Sequence, residues 1–183
     1  EPEVIACFHD DLEILQEGWD FSINAVFASS PETLLAGFGG GTGLGSADIY
    51  ESPYSPYQLA RQDFVSNMAH AEAHGRRSTK VEKLACTDGF SIIGRSEFIH
   101  SAFRYIHEKG VRHHAYDSWI GGICRRLGGE ARLIPVKVHH AGGMTAVGSQ
   151  KYHEFARSIH PDGDAHFWND AHAAMYKDLK GVL

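Results

Sequence analysis

The sequence predicts an α/β fold built on a mixed, largely parallel sheet flanked by helices, and three observations lead there. Short runs rich in β-branched and aromatic residues alternate with segments whose apolar residues recur at helical spacing. The chain has 183 residues, 43% of them hydrophobic, which suffices for one buried core without disulfide or metal staples. Two strand-like runs end in charged or metal-ligating residues where a turn would more cheaply use Gly, Asn or Ser: "VIACF" runs into His9-Asp10-Asp11, and "IPVKV" into His139-His140. Ligands of parallel α/β sheets gather at the carboxyl ends of strands, so these two ends draw the eye.

Taken in order, Val4 to Phe8 reads as a short buried strand. Trp19, Ile23, Val26 and Phe27 stand at i, i+4, i+7 and i+8, one apolar face of a helix that Pro31 ends. Thr33 to Phe38 reads as a second strand. It runs into "GFGGGTGLG", Gly37 to Gly45, which has spacings of a phosphate cradle but leads into a Tyr/Pro segment rather than a helix. A mobile loop is the expectation there, with "YESPYSPYQ" continuing it and a weak helix from about Leu59 to His74. "KLACTDGFSIIG" has the apolar content of one or two strands broken at the Asp88-Gly89 turn. Ser96 is placed to cap a helix reaching about Glu108, with Phe98, Ala102, Tyr105 and Ile106 on one face. Ile120, Ile123, Cys124 and Leu127 mark another helix, closed by Gly128 at C′. "ARLIPVKVHH" reads as one strand that puts Ile134, Val136, Val138 and His140 on one face, and the chain from Ser149 reads as helical. With no repeat and no composition break, residues 1–183 form one expected domain.

Composition excludes several classes. A net charge of −6 is wrong for a nucleic-acid surface, and no apolar run reaches the roughly 18 residues of a membrane span. Cys7, Cys86 and Cys124 are odd in number and widely spaced, which suits small buried thiols in a reducing compartment. His70 and His74 share a helical spacing without the Glu of a zinc-protease motif, and read as surface residues. Trp119 and Trp168 read as core residues or as the lining of a groove.

The two strand ends suggest a cation site. Adjacent carboxylates repel each other, and a carboxylate beside an imidazole on a neighbouring strand suits Mn²⁺ or Mg²⁺ better than a closed structural zinc site. Asp117, at the start of a helix, has two readings. It caps the helix and meets its dipole, which would favour the ionised form, or it serves as a general base.

Four segments in order, "CFHDDLEIL…GW", "TDGFSIIGRSEF", "HHAYDSWIGGICRRLGG" and "IPVKVHHAGGMTA", resemble the catalytic half of family 2 glycosyltransferases, and "GDAHFWNDAHAAMYKDL" is similar to tails of bacterial members. The resemblance covers nearly the whole chain and implies a GT-A fold lacking the N-terminal nucleotide-binding strands, so that the chain is expected to be part of a longer enzyme. It implies an inverting, metal-assisted transfer of a sugar from a nucleotide-sugar donor to a hydroxyl acceptor, a glycan or lipid-linked saccharide, in polysaccharide synthesis. The expected setting is cytoplasmic or peripheral at the inner membrane face. By the resemblance, His9-Asp10-Asp11 stands where the family has DxD, with Asp11 meeting the metal and His9 and Asp10 the donor. His140 would be the late metal ligand, with His139 as fallback. Tyr116-Asp117 stands where the family has Glu-Asp, leaving Asp117 as the catalytic base, and Asp88, Gly89 and Trp119 would line the sugar and acceptor side. Two alternatives stay open: a metal-dependent hydrolase or phosphoesterase using the same residues, and a non-catalytic binding module of glycosyltransferase type.

Overall fold

Leu35-Ala36 and Ile92-Ile93 are adjacent apolar pairs, and adjacent side chains of a strand point to opposite faces, so the strands that carry them need cover on both sides. The computed structural model, which describes residues 3–43, 64–69, 75–111, 115–141, 150–159 and 164–179, puts both pairs at the centre of a five-stranded sheet. Its strands are β1 (Val4–Phe8), β9 (Ser91–Arg95), β3 (Thr33–Gly37), β10 (Glu130–Leu133) and β7 (Glu82–Leu84), side by side in that order. A second sheet runs β6 (Arg76–Arg77), β5 (Phe64–Ser66), β4 (Gly39–Gly41), β8 (Cys86–Thr87), and β2 (Leu12–Ile14) pairs with β11 (Val138–His140).

The helices cover the two faces unequally. Leu35, Ile92 and Leu133 pack against α2 (Ser96–Glu108), α3 (Tyr116–Arg126) and Met175 of α5 (Asp164–Asp178). Ala36 and Ile93 face α1 (Trp19–Ser29) through Ile23, Val26 and Phe27, together with Ile134, Val136 and Val138. The remaining described helix, α4, spans Gln150–Ile159. No helix of the described residues is long and apolar enough to cross a membrane.

The fold is mixed α/β as expected, but the sheet is not largely parallel. In the main sheet β3–β10 is the one parallel pair, and β1–β9, β9–β3 and β10–β7 are antiparallel. Strands consecutive in the chain part into different sheets, β2 to β11 and β8 to β4, and β9 inserts antiparallel between β1 and β3 in place of a parallel neighbour reached by a crossover. β1 is also not buried. Among the described residues it pairs on one side only, and Ala6 and Cys7 are exposed, so Cys7 departs from the buried pattern that Cys86 and Cys124 follow.

Four further expectations fail. "ARLIPVKVHH" breaks into β10 and β11 because Pro135 centres a tight turn closed by Val136 N–H donating to Ile134 O at 2.7 Å. The glycines Gly39–Gly41 form a buried strand rather than a loop, since a Cβ on Gly40 would lie 2.2 Å from Cys86 O. Phe64–Ser66, expected to be helical, is the strand that pairs with them. Ser96 is the first residue inside α2, with Arg95 at the cap position. The Tyr/Pro segment 50–58, Leu44, Gly45, His70, His74 and the Trp168 side chain lie outside the described residues.

Helices α1, α2 and α3 follow the sequence reading closely. The end of α3 is capped as expected: Gly128, at φ 73°, donates to Arg125 O and Gly129 to Cys124 O, each at 3.0 Å. What seats α3 against β8 is Gly121, where a Cβ would meet Ala85 O at 2.5 Å and Cys86 Cβ at 2.6 Å. Substituting Gly121 with Ala should therefore cost about 1–3 kcal/mol of stability, read as a lower urea midpoint at unchanged m-value.

Candidate functional site

The site begins with a strand pairing. β11 runs antiparallel to β2 with His140 opposite Leu12, and Ala141 N–H donates to Asp11 O at 3.3 Å. Asp11 ends the turn after β1, so residues far apart in the chain come together at one sheet end. His140 Nε2 lies 3.1 Å from Asp11 Oδ1, and His9 Nδ1 lies 3.9 Å from the same oxygen. One ligand atom from each of His9, Asp11 and His140 falls within 4.8 Å of the others. Alternation along β11 turns His139 the other way, so His140 is the imidazole that joins Asp11. Asp10 is exposed at the tip of the turn and stands outside this group.

His140 is partly buried against an aromatic ring. Its ring rests 4.8 Å from that of Phe90, which is fully buried. Burial lowers its pKa below the ordinary value of 6.5; His9 pushes the same way, and Asp11 and Asp88 oppose. The imidazole is thus neutral at pH 7, the state that presents a lone pair. Nε2 is buried and meets the Asp11 carboxylate at 3.1 Å without a well-directed hydrogen bond. A buried polar atom with a poorly directed contact is costly, and a cation between imidazole and carboxylate would satisfy both groups.

The other half of the site hangs from α3. Asp117 sits in the first turn, its Oδ1 accepting the Ser118 N–H at 2.7 Å, while Ala115 holds the cap position. Ala115 is the one non-glycine among the described residues at positive φ, 61°, so the helix enters the site through a left-handed residue. Burial raises the Asp117 pKa from 3.8 to about 7, and the Asp88 carboxylate adds to the rise; the N–H groups of Ser118 and Gly89 oppose it. Capping alone would have lowered it, so desolvation wins over the helix end.

Tyr116 joins the two halves. Its Oη lies 3.2 Å from His9 Nε2, and its ring passes so close over Gly89 that a Cβ there would lie 2.4 Å from Oη. Asp88 acts electrostatically on Asp117, Tyr116 and His140 together, which puts it among them. No protein-family model and no curated protein matches this chain.

Trp119 does not reach this site. It is 1% exposed, packs in the core beside α5, and its indole N–H donates to Ala171 O at 3.1 Å. Two members were missed in the sequence as partners of the cation group: His9 as a neighbour of Asp11 and His140, and Tyr116 as its contact. The spacing His9-x-Asp11 was visible, whereas the Tyr116 contact spans 107 residues and leaves no local signal. A cavity of about 420 Å³ near the end of α3, lined by Lys83, Cys124, Arg125 and Glu130 among others, includes none of the site residues.

The raised Asp117 pKa has a direction in stability. A carboxyl whose folded pKa lies above its unfolded value favours the fold most below pH about 4, and that contribution disappears as pH rises through about 7. Asp117→Asn should therefore raise the melting temperature relative to the parent at pH 8 and leave the difference much smaller at pH 4, measured by thermal unfolding.

Proposed function

We propose that this chain carries the catalytic centre of a metal-assisted, inverting glycosyltransferase that uses a nucleotide-sugar donor and a hydroxyl acceptor. The observation that carries the reading is the convergence of Asp11 and His140 with a second, acidic half of the site in which Asp117 titrates at about 7. The segments resembling family 2 glycosyltransferases contribute both halves, Asp11 and His140 to one and Asp88 and Asp117 to the other.

The chemistry assigns the residues their tasks. Asp11 and His140 would hold a divalent cation, which supplies neutralisation of the charge on a departing nucleoside diphosphate. Asp117, ionised, accepts the proton of the acceptor hydroxyl as its oxygen bonds to the anomeric carbon and the bond to the diphosphate breaks. A pKa near the working pH suits a general base, which must be ionised and still hold a proton. Asp10, exposed on the turn beside Asp11, would meet the donor, and Gly89, against the Tyr116 hydroxyl, would stand on the sugar side.

The test is a screen of nucleotide-sugars and hydroxyl acceptors with Mn²⁺, on this chain and on any extended polypeptide that contains it, following nucleoside diphosphate release and glycoside formation. Transfer should rise with pH through about 7 as Asp117 ionises, and Asp117→Asn should lower kcat by about 10²–10⁴-fold with the fold intact. Unimpaired turnover in Asp117→Asn would remove the base assignment. Free sugar without glycoside would mean hydrolysis, and binding without turnover in the extended polypeptide would mean a binding module.

A further inference from the structure

His9 touches the site through both ring nitrogens, and the two contacts constrain each other. Nε2 lies 3.2 Å from Tyr116 Oη and Nδ1 lies 3.9 Å from Asp11 Oδ1. With its proton on Nδ1, the neutral ring would accept the Tyr116 O–H at Nε2 and aim a donor at Asp11 from beyond hydrogen-bond range. With the proton on Nε2, the Tyr116 oxygen accepts it, and Nδ1 directs a bare lone pair towards the carboxylate. That second arrangement is repulsive unless a cation stands between them. His140 poses the same problem independently: its buried Nε2 faces the same carboxylate oxygen without a well-directed hydrogen bond.

We infer that His9, through Nδ1, is the third ligand of the cation proposed at Asp11 and His140, that Tyr116 is the positioning residue holding His9 in the ligating tautomer, and that the resulting site prefers a first-row transition-metal ion to Mg²⁺. The inference rests on the cation of the proposed function and adds its identity. Two imidazoles and one carboxylate are a borderline donor set, whereas Mg²⁺ takes oxygen ligands and keeps its waters. Metal–ligand bonds of about 2.0–2.2 Å suit the group once the half-exposed His9 ring closes the widest gap, since all three ligand atoms already lie within 4.8 Å. A ligating imidazole almost always donates its other N–H to a fixed acceptor, and the Tyr116 hydroxyl supplies one. Two neutral imidazoles and one carboxylate would leave a divalent ion with net positive charge, available to an anionic diphosphate.

The experiment is calorimetric titration of the metal-free chain with Mg²⁺, Mn²⁺, Co²⁺ and Zn²⁺ in turn, with the visible spectrum of the Co²⁺ adduct as a second readout. Affinity should rise in that order. Tyr116→Phe should weaken Co²⁺ about 10–100-fold and shift its absorption, as expected when the acceptor behind a ligating His is lost. His9→Ala, at an exposed turn, should remove the preference over Mg²⁺, and His140→Ala should abolish binding. Equal affinities for Mg²⁺ and Co²⁺, or Co²⁺ binding unchanged in His9→Ala or His140→Ala, would overturn the inference. Mg²⁺-supported transfer with no such preference would overturn it and leave the glycosyltransferase reading standing. Selective Co²⁺ binding that follows these variants, in a polypeptide that transfers no sugar, would uphold the inference and remove that reading.

Discussion

The register of the β2–β11 pair is the constraint on which the site depends. Val138 opposes Ile14 and His140 opposes Leu12, and Leu15 N–H closes the ladder on Lys137 O at 2.9 Å. A slip of one residue would exchange faces along the whole strand, turning His139 towards Asp11 and His140 away. What prevents the slip is burial: Ile134, Val136 and Val138 are all fully covered, and Val138 O also accepts the Ala69 N–H at 2.8 Å. Moving this stripe into solvent would cost about 1.5–3 kcal/mol for each large side chain, far more than the imidazole contributes in its place.

Burial then acts on two groups in opposite charge senses with one result. It lowers the His140 pKa and raises that of Asp117, so near neutral pH the imidazole is uncharged and the carboxyl is balanced between its forms. Asp88 opposes the first shift and adds to the second. A single carboxylate at the turn between β8 and β9 therefore couples the His140 half to the acidic half. The left-handed Ala115, in a conformation costing about 1–2 kcal/mol for a residue with a Cβ, is the backbone strain held at this point.

The parts legible in the sequence were those set by local periodicity. Ile23, Val26 and Phe27 announced α1, and Ile120, Ile123 and Cys124 announced α3, because a helix buries residues three and four apart whatever it packs against. Asp11 and His140 were legible as strand-end residues of the wrong chemistry for plain turns, whereas Asp117 read equally as a helix cap and was singled out by the resemblance. Strand direction was not legible, because pairing is decided between segments far apart in the chain, as β1 and β9 or β10 and β7 are. The Pro135 break was open to reading and outweighed by an apolar alternation that in fact continues across it, since Ile134, Val136 and Val138 remain buried although the chain changes sheet. Trp119 shows the limit of composition: an aromatic near a site and an aromatic in a core look alike until Ala171 O is found at its N–H.

The glycines are where sequence reasoning pointed to the wrong physical role and the right place. The glycine-rich stretch reads as a mobile loop, and here its Gly39–Gly41 form a buried strand in close approach to other backbone. Gly40 lets β4 lie against β8, Gly121 lets α3 lie on the other side of it, and the pairing continues until Asp88 N–H donates to Gly39 O at 2.8 Å. That bond fixes the turn whose next residue, Gly89, must also lack a Cβ, because Tyr116 Oη would lie 2.4 Å from it. Only with that space empty can the Tyr116 ring sit where its hydroxyl comes within 3.2 Å of His9. The absence of side chains along this line thus sets the distance between the two halves of the site.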